Sequence, residues 1–157
     1  MAAYEYVSKS GIPDETCMVY EATQHDCSAA NICRNCERGK GCFAVTQYKK
    51  YTIAQFGAVK GEKDMMAEVY ARGPIACGIA ANAAFNAYKS GVFEDKTGFK
   101  TINHAVSIVG WGEEAGAKYW IARNSFGSAW GEQGLFRIVR GVNNLAIEEA
   151  CAWAVPA

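Results

Sequence analysis

Two segments in the first half of the chain show the spacing of helices. Tyr4 and Val7 stand at helical spacing and are followed by Gly11 and Pro13, which predicts a helix that ends at Gly11. Residues 62–71 form the second predicted helix, which a Gly-Pro pair ends. One face of this helix is apolar and carries Met65, Met66, Val69 and Tyr70. We expect the two methionines to pack in the core.

Strand patterns dominate the remainder of the chain. Residues 51–55 alternate in strand fashion, residues 75–80 form a short apolar run, and residues 83–88 suggest a helical turn. Three β-prone runs follow, separated by turns that contain glycine: 102–111, 118–123 and 134–139. Because helical patterns come early in the chain and strand patterns come late, the sequence predicts an α+β fold in which an antiparallel sheet curls toward a barrel.

The composition fits one compact domain without a strong electric field. The chain has 157 residues, half of them apolar, and its 16 Lys and Arg balance its 16 Asp and Glu. Binding to nucleic acid or to an anionic membrane surface is therefore disfavoured. The first residues carry an acid where a signal peptide has a basic stretch, and no apolar run is long enough to span a bilayer. We expect a soluble chain that has been processed or cut.

Seven cysteines in so short a chain indicate an oxidising compartment, and the odd number leaves one unpaired. Cys77 and Cys151 lie in apolar surroundings. The other five lie close together in a polar segment, residues 11–45: Cys17, Cys27, Cys33, Cys36 and Cys42. We expect crosslinks to order this segment. A zinc site at residues 33–36 is the alternative, but the second Cys-x-x-Cys of a zinc ribbon is absent. We therefore expect neither a metal nor another cofactor.

The chain has only two histidines, and their surroundings differ. His25 stands in a polar loop, where a solvated side chain is expected. His104 opens an apolar strand, and Asn124 follows the next one, so neighbouring strand ends would bring the two together. A neutral amide oxygen can then accept the imidazole hydrogen and fix the orientation and tautomer of the ring. From the residues alone, a structural turn remains the competing interpretation.

Several blocks around these two residues resemble the histidine and asparagine boxes of papain-like cysteine peptidases, in the same order and spacing. They are Asn103-His104, Gly110-Trp111-Gly112, Tyr119-Trp120-Ile121, Arg123-Asn124-Ser125-Phe126-Gly127 and Trp130-Gly131. Within that family, residues 11–17, the dense cysteines and residues 144–149 resemble the cathepsin X (or Z) branch more than cathepsins B or L. The resemblance extends from about Tyr4 to the C-terminus.

The resemblance implies that His104 is the general base that forms an ion pair with a cysteine thiolate, and that Asn124 orients it. The papain-type cysteine signature stands roughly 130 to 150 residues before the histidine and asparagine, whereas His104 has 103 residues before it and no such motif occurs. We therefore expect the nucleophile, the oxyanion glutamine and the N-terminal helical domain to be missing from this chain, which would be inactive alone.

The resemblance also implies a disulfide framework. In that framework Cys17 pairs with Cys33, Cys36 with Cys42, and Cys77 with Cys151. Cys27 is left unpaired, and its partner would be a cysteine in the missing N-terminal part.

Positions that shape the pocket for the second substrate residue before the scissile bond align with Gly78, Ile102, Ala105 and Ala150. Ordinary core packing is the alternative for each. Asn103, Phe126 and Trp130 are also assigned to substrate binding. Phe126 stands where the family usually has tryptophan, so the ring that shields the Asn124 to His104 bond is smaller.

These expectations define three segments: the end of a truncated helix (1–10), a disulfide-rich loop segment (11–45) and a β-rich C-terminal subdomain with both boxes (46–157). The expected function is that of one portion of a lysosomal, vesicular or secreted cysteine peptidase acting on peptide or protein, of carboxypeptidase type when complete. Its partner would be the missing N-terminal portion or a protein that covers the exposed face. The alternative is a non-catalytic binding or structural protein.

Overall fold

The computed structural model describes all residues from Met1 to Ala157. It contains four α-helices, one 3-10 turn and nine strands. In chain order these are α1 (Ala2–Ser10), α2 (Ala29–Ile32), β1 (Arg34–Glu37), β2 (Gly41–Ala44), β3 (Ile53–Val59), α3 (Glu62–Arg72), β4 (Ile75–Ile79), α4 (Ala83–Asn86), β5 (Val92–Phe93), β6 (His104–Glu114), β7 (Ala117–Arg123), β8 (Leu135–Val139), the 3-10 turn (Asn144–Ala146) and β9 (Cys151–Pro156). None of the helices has the length and apolar character needed to cross a bilayer.

The chain divides into two compact units, of which unit 1 comprises Met1–Phe56 and Ala154–Ala157. Helix α1 ends at Gly11, as predicted, and the Gly11 N–H donates to Val7 O at 3.0 Å. Gly11 has φ +68°, and a Cβ there would lie 3.1 Å from Lys50 Cβ, so both backbone angle and space favour glycine. Strands β1 and β2 form an antiparallel hairpin. Little apolar surface is buried in this unit, so its disulfides supply much of its order.

Unit 2 comprises Gly57–Trp153 and holds the hydrophobic core. The strands of the main sheet are hydrogen-bonded in the order β3-β9-β4-β6-β7-β8-β5. Helix α3 contributes Met65 and Val69 to the core, and Met66 packs against it, which confirms core packing of the two methionines. Tyr70 was predicted on the same face but is 86% exposed. It lies five residues after Met65 and hence well round the helix from the buried side.

The predicted α+β fold class is confirmed, with two differences in the sheet. The sheet stays open, with β3 and β5 at its edges, and does not close into a barrel. Strand β5 also runs parallel to β8, whereas the predicted sheet is antiparallel. This strand has only two residues, too few to produce a recognisable alternation in the sequence.

Candidate active site

Two adjacent strand ends bring His104 and Asn124 together. His104 is the first residue of β6, and Asn124 directly follows Arg123, the last residue of β7. The two strands are antiparallel, with Ser107 opposite Arg123, so the start of one lies beside the end of the other. His104 Nε2 lies 2.8 Å from Asn124 Oδ1. The sheet therefore produces an imidazole–amide pair from residues that are 20 positions apart.

The hydrogen-bond pattern fixes the tautomer of the imidazole. Asn124 Oδ1 also accepts the Ser125 N–H at 2.8 Å. Because a carbonyl oxygen can only accept, the neutral His104 ring carries its hydrogen on Nε2. Its Nδ1 then keeps a free lone pair, which is the atom available to take a proton from another group. Asn124 is only 7% exposed, so water has little access to the accepting oxygen.

An aromatic ring packs against the imidazole of His104, and a second ring supports the first. The Phe126 ring lies 5.0 Å from the His104 ring, centroid to centroid, with the planes inclined by 30°. Trp130 packs edge-on against Phe126 at 5.5 Å, and its Nε1 donates to Asn86 O at 2.8 Å. His104 is half-buried and Phe126 is itself exposed, so the cover over the imidazole is partial.

Charged residues that sequence reasoning did not identify hold the loop after Asn124. Glu132 accepts hydrogen bonds from Arg137 Nη2 at 2.8 Å and from the Gly91 N–H at 2.9 Å. The hydrogen bonds from Arg137 lower the pKa of Glu132; burial opposes this effect, and the Gly91 N–H adds to it. Nothing in the sequence marks these two residues, because a charged pair beside a turn has the pattern of a solvated surface.

The four residues expected to shape a substrate pocket lie together. Gly78 is paired with Ala105 across β4 and β6, and the Gly78 N–H donates to Ala150 O at 2.9 Å. A Cβ on Gly78 would lie 2.8 Å from Ile102 Cγ2, so only glycine allows this close approach. Ile102, Ala105 and Ala150 are exposed, which places them on an accessible surface and not in the core.

Asn103, also predicted to bind substrate, uses its amide to hold the backbone. Its Oδ1 accepts the Ala81 N–H at 2.8 Å, and its Nδ2 donates to Ala81 O at 3.0 Å. The Asn103 N–H donates to Ile79 O at 3.2 Å. These contacts fix the residue that precedes His104. A direct role of Asn103 in substrate binding stays a prediction.

Six of the seven cysteines form disulfides, in the pairs that the resemblance implies. The bonds are Cys17–Cys33, Cys36–Cys42 and Cys77–Cys151. Both cysteines of the Cys-x-x-Cys segment are therefore bonded to other cysteines, so neither is available as a thiolate ligand of zinc. Cys27 is free and exposed.

His25 lies in the polar loop of unit 1, where its Nε2 is 2.8 Å from Glu21 Oε2. Its contacts are those of a surface side chain, with a third of its surface exposed. No amide oxygen orients this imidazole as Asn124 orients His104.

Comparison with known proteins identifies one family. The model of the papain family of cysteine proteases matches residues 1–155. The chain is 46% identical over 162 residues to a cathepsin Z of Onchocerca volvulus, covering 98% of this chain and 52% of that protein. It is 36% identical over 116 residues to a gut-specific cysteine proteinase of Caenorhabditis elegans, covering 74% of this chain and 35% of that protein. The chain thus spans about half the length of these relatives or less.

Solved structures agree with this similarity. Digestive procathepsin L 3 of the Tenebrio molitor larval midgut superposes with a TM-score of 0.78 at 31% identity, covering 98% of this chain and 47% of that one. ProCathepsin B S9 of Trypanosoma congolense gives a TM-score of 0.78 at 28% identity, covering 99% of this chain and 52% of that one.

Proposed function

Because the chain belongs to the papain family of cysteine proteases, we propose that it supplies the histidine and asparagine of a Cys-His-Asn site that hydrolyses peptide bonds. The observation that carries this proposal is the 2.8 Å bond between His104 Nε2 and Asn124 Oδ1. This bond leaves His104 Nδ1 as the proton acceptor, the arrangement that a thiol nucleophile needs.

In this reaction His104 Nδ1 takes the proton from a cysteine thiol, and the resulting thiolate attacks the carbonyl carbon of the scissile bond. The imidazolium then returns the proton to the leaving amine, and a thioester remains. Water, deprotonated by the same imidazole, hydrolyses the thioester and regenerates the thiol. Asn124 stabilises the required tautomer throughout, and its neutral oxygen keeps the ring in one orientation.

The nucleophilic thiol is proposed to come from residues outside these 157. Six cysteine sulfurs are joined in disulfides and cannot form a thiolate. The seventh, Cys27, stands in a polar loop without the cysteine signature of the family. The chain alone is accordingly proposed to be inactive.

The proposed substrate is a peptide or protein whose second residue before the scissile bond fits a roomy apolar pocket, left by small residues such as Gly78 and Ala105. The exposure of Ile102, Ala105 and Ala150 beside Gly78 supports this assignment. Carboxypeptidase-type cleavage by the complete protein is the finer proposal, and it is supported by the similarity to a cathepsin Z.

The test combines the purified chain with the N-terminal portion of the Onchocerca volvulus cathepsin Z, which is expected to carry the cysteine. A fluorogenic dipeptide and a thiol-reactive epoxide report turnover and thiol labelling, and a peptide with a free carboxyl end reports carboxypeptidase cleavage. We expect activity only from the combined portions. His104→Ala abolishes it and Asn124→Ala reduces it about 100-fold or more, since the tautomer is no longer fixed.

His25→Ala is the matched control, because it removes the other histidine and leaves the proposed site intact. Cys27→Ser in the isolated chain tests the source of the thiol. Turnover by the isolated chain that is lost in Cys27→Ser would contradict the proposal that the nucleophile lies elsewhere. Full activity of the combined portions with His104→Ala would contradict the site itself.

A non-catalytic binding protein on the same scaffold is the second candidate, and Phe126 is the observation that favours it. The ring beside His104 is exposed and is smaller than an indole, so it shields the imidazole less than a tryptophan would. This candidate predicts that the combined portions bind a dipeptide without cleaving it. Specific epoxide labelling together with turnover would rule it out.

A lysosomal, vesicular or secreted location is proposed from the three disulfides, since such bonds persist in oxidising compartments. The proposed partner is the N-terminal peptidase portion, or a protein that covers exposed apolar residues outside the proposed site. Fractionation and co-purification from the native source test these two points. A cytosolic chain without a companion would contradict both.

A further inference from the structure

Two adjacent surface depressions lie along the disulfide-rich part of unit 1. They are cavities of about 480 and 370 Å³, which share Glu15, Met18 and Asn31 in their walls. We refer to the two cavities together as the acidic groove. All of its wall residues lie between positions 6 and 32. It is therefore built by unit 1 alone, and none of its residues has a part in the chemistry proposed above.

The walls of the acidic groove present apolar side chains to solvent. Ile12 is 40% exposed, Val19 is 61% exposed and Tyr20 is 84% exposed. Met18 lies between the two cavities and is half-buried. Adjacent exposed apolar side chains of this size are typical of a surface that contacts another molecule.

The charged wall residues of the acidic groove are mostly carboxylates. Asp14, Glu15 and Glu21 line it, and none of its wall residues is Lys or Arg. Hydrogen bonds from the Thr16 hydroxyl and backbone N–H lower the pKa of Asp14, so it stays ionised. Glu21 pairs with Arg34 and His25, whereas Glu15 makes no ion pair in the chain. The groove therefore keeps negative charge that the protein itself does not neutralise.

We propose that the acidic groove binds a basic segment of a partner protein, in which Lys or Arg side chains are interspersed with leucine or aromatic residues. The apolar side chains of such a segment cover Val19 and Tyr20, and its cations reach Glu15 and Asp14. Arg suits these carboxylates best because its planar guanidinium can donate two parallel hydrogen bonds to one carboxylate. Both features of the ligand follow from the groove: apolar contact supplies buried area, and the carboxylates select the sign of the charge.

Fluorescence polarisation with the full 157-residue chain tests the proposal. The probe is a labelled, end-capped peptide of sequence Arg-Leu-Arg-Tyr-Arg-Leu. A second probe has Glu for each Arg, and a third has Gly for each Leu and Tyr. We expect binding of the first probe only, weakened by added salt because the charges are at the surface.

Glu15→Lys is expected to raise the Kd of the first probe by about fivefold or more, because it replaces an attraction by a repulsion. Tyr20→Ser tests the apolar wall separately and is expected to raise the Kd as well. Glu113→Lys, at an exposed carboxylate of unit 2, is the matched control and is expected to change the Kd by less than about twofold. Circular dichroism of each variant verifies folding.

Three outcomes would overturn the proposal. The first is equal binding of the Glu-containing probe, and the second is an equal effect of the lysine substitutions at Glu15 and Glu113. The third is self-association, seen by light scattering as a dimer that Glu15→Lys converts to a monomer, since a second copy would then be the occupant.

Discussion

The ring of Phe126 packs against the ring of His104, with their centroids 5.0 Å apart. Phe126 is itself 44% exposed. The imidazole is thus held by a hydrogen bond to Asn124 and by a ring contact that water reaches from outside. The hydrogen on His104 Nε2 exchanges with water more slowly the better its surroundings exclude water. We therefore expect the residue at position 126 to influence how well the hydrogen on His104 Nε2 is protected from water.

Phe126→Ala is expected to speed hydrogen exchange at His104 Nε2 by about fivefold, because an aromatic contact of this kind contributes about 1 kcal/mol. Phe126→Trp is expected to slow the exchange, since the larger ring covers more of the bond. Both are measured on the ¹⁵N-labelled imidazole by nuclear magnetic resonance.

Phe43→Ala provides the control, because Phe43 is 43% exposed, close to the exposure of Phe126, and lies in β2 of unit 1. It should leave exchange at His104 unchanged. Equal exchange rates in Phe126→Ala and the unaltered protein would show that the ring does not protect the bond.

The parts of the fold that local pattern determines could be predicted from sequence. Helix α3 follows from the spacing of its apolar residues and the Gly-Pro after it, and β6 and β7 follow from long β-prone runs. The approach of Asn124 to His104 could also be predicted, because the two residues stand at the ends of neighbouring strands. The disulfide pairing could not be predicted from spacing alone, since six paired cysteines allow 15 connectivities. It came from the resemblance.

Features that depend on distant partners could not be predicted. Glu148 and Glu149 are adjacent and chemically alike, yet Glu148 is buried and Glu149 is exposed. The difference between them comes from a distant partner: Trp120, 28 positions earlier in the chain, donates a hydrogen bond to Glu148. The parallel pairing of β5 has the same origin, because the path of the chain determines it and a two-residue strand carries no pattern.

Glu132 is expected to make stability depend on pH. Its pKa in the folded protein is lowered, chiefly by hydrogen bonds from Arg137. Its contribution is therefore fully present above its ordinary value of 4.5 and is lost as the pH falls through the folded-state pKa. Glu132→Gln should lower the urea midpoint at neutral pH, and the difference from the unaltered protein should narrow as the pH falls below about 4.5.

The control for this prediction removes the cause of the shift. In an Arg137→Met background, Glu132→Gln should show a much smaller change with pH, because the guanidinium that stabilises the carboxylate is gone. A difference between Glu132→Gln and the unaltered protein that stays constant with pH would contradict the role assigned to this pair.

The disulfides are expected to differ in their contribution to stability. Cys77 and Cys151 are 74 positions apart, whereas Cys36 and Cys42 are 6 apart. In the chain-entropy model, replacing both cysteines by alanine costs about 4 kcal/mol for the long loop and about 2 kcal/mol for the short one. Urea unfolding followed by circular dichroism measures both, with Cys27→Ser in every variant to prevent exchange. Equal losses would show that loop length does not govern these bonds.

Glu148 is expected to be a major stabilising residue of the loop before β9. Its Oε1 accepts from Trp120 Nε1 at 2.8 Å and from the Gly141 N–H at 2.7 Å, and its Oε2 accepts from the Asn143 N–H at 3.1 Å. Glu148→Ala leaves these three donors without an acceptor at a position that is 7% exposed, which costs about 3 kcal/mol. For a chain of this size the melting temperature should fall by about 9 °C.

Two variants separate the loss of these bonds from the loss of a negative charge. Glu113→Ala removes an exposed carboxylate and should leave the melting temperature within about 1 °C of the unaltered protein. Glu148→Gln keeps one acceptor oxygen, so its melting temperature should lie between those of Glu148→Ala and the unaltered protein. If Glu148→Ala melts at the same temperature as Glu113→Ala, the buried carboxylate does not hold the loop. In that case the packing of the loop would bring Glu148 to Trp120, and the hydrogen bond between them would not be what holds the loop in place.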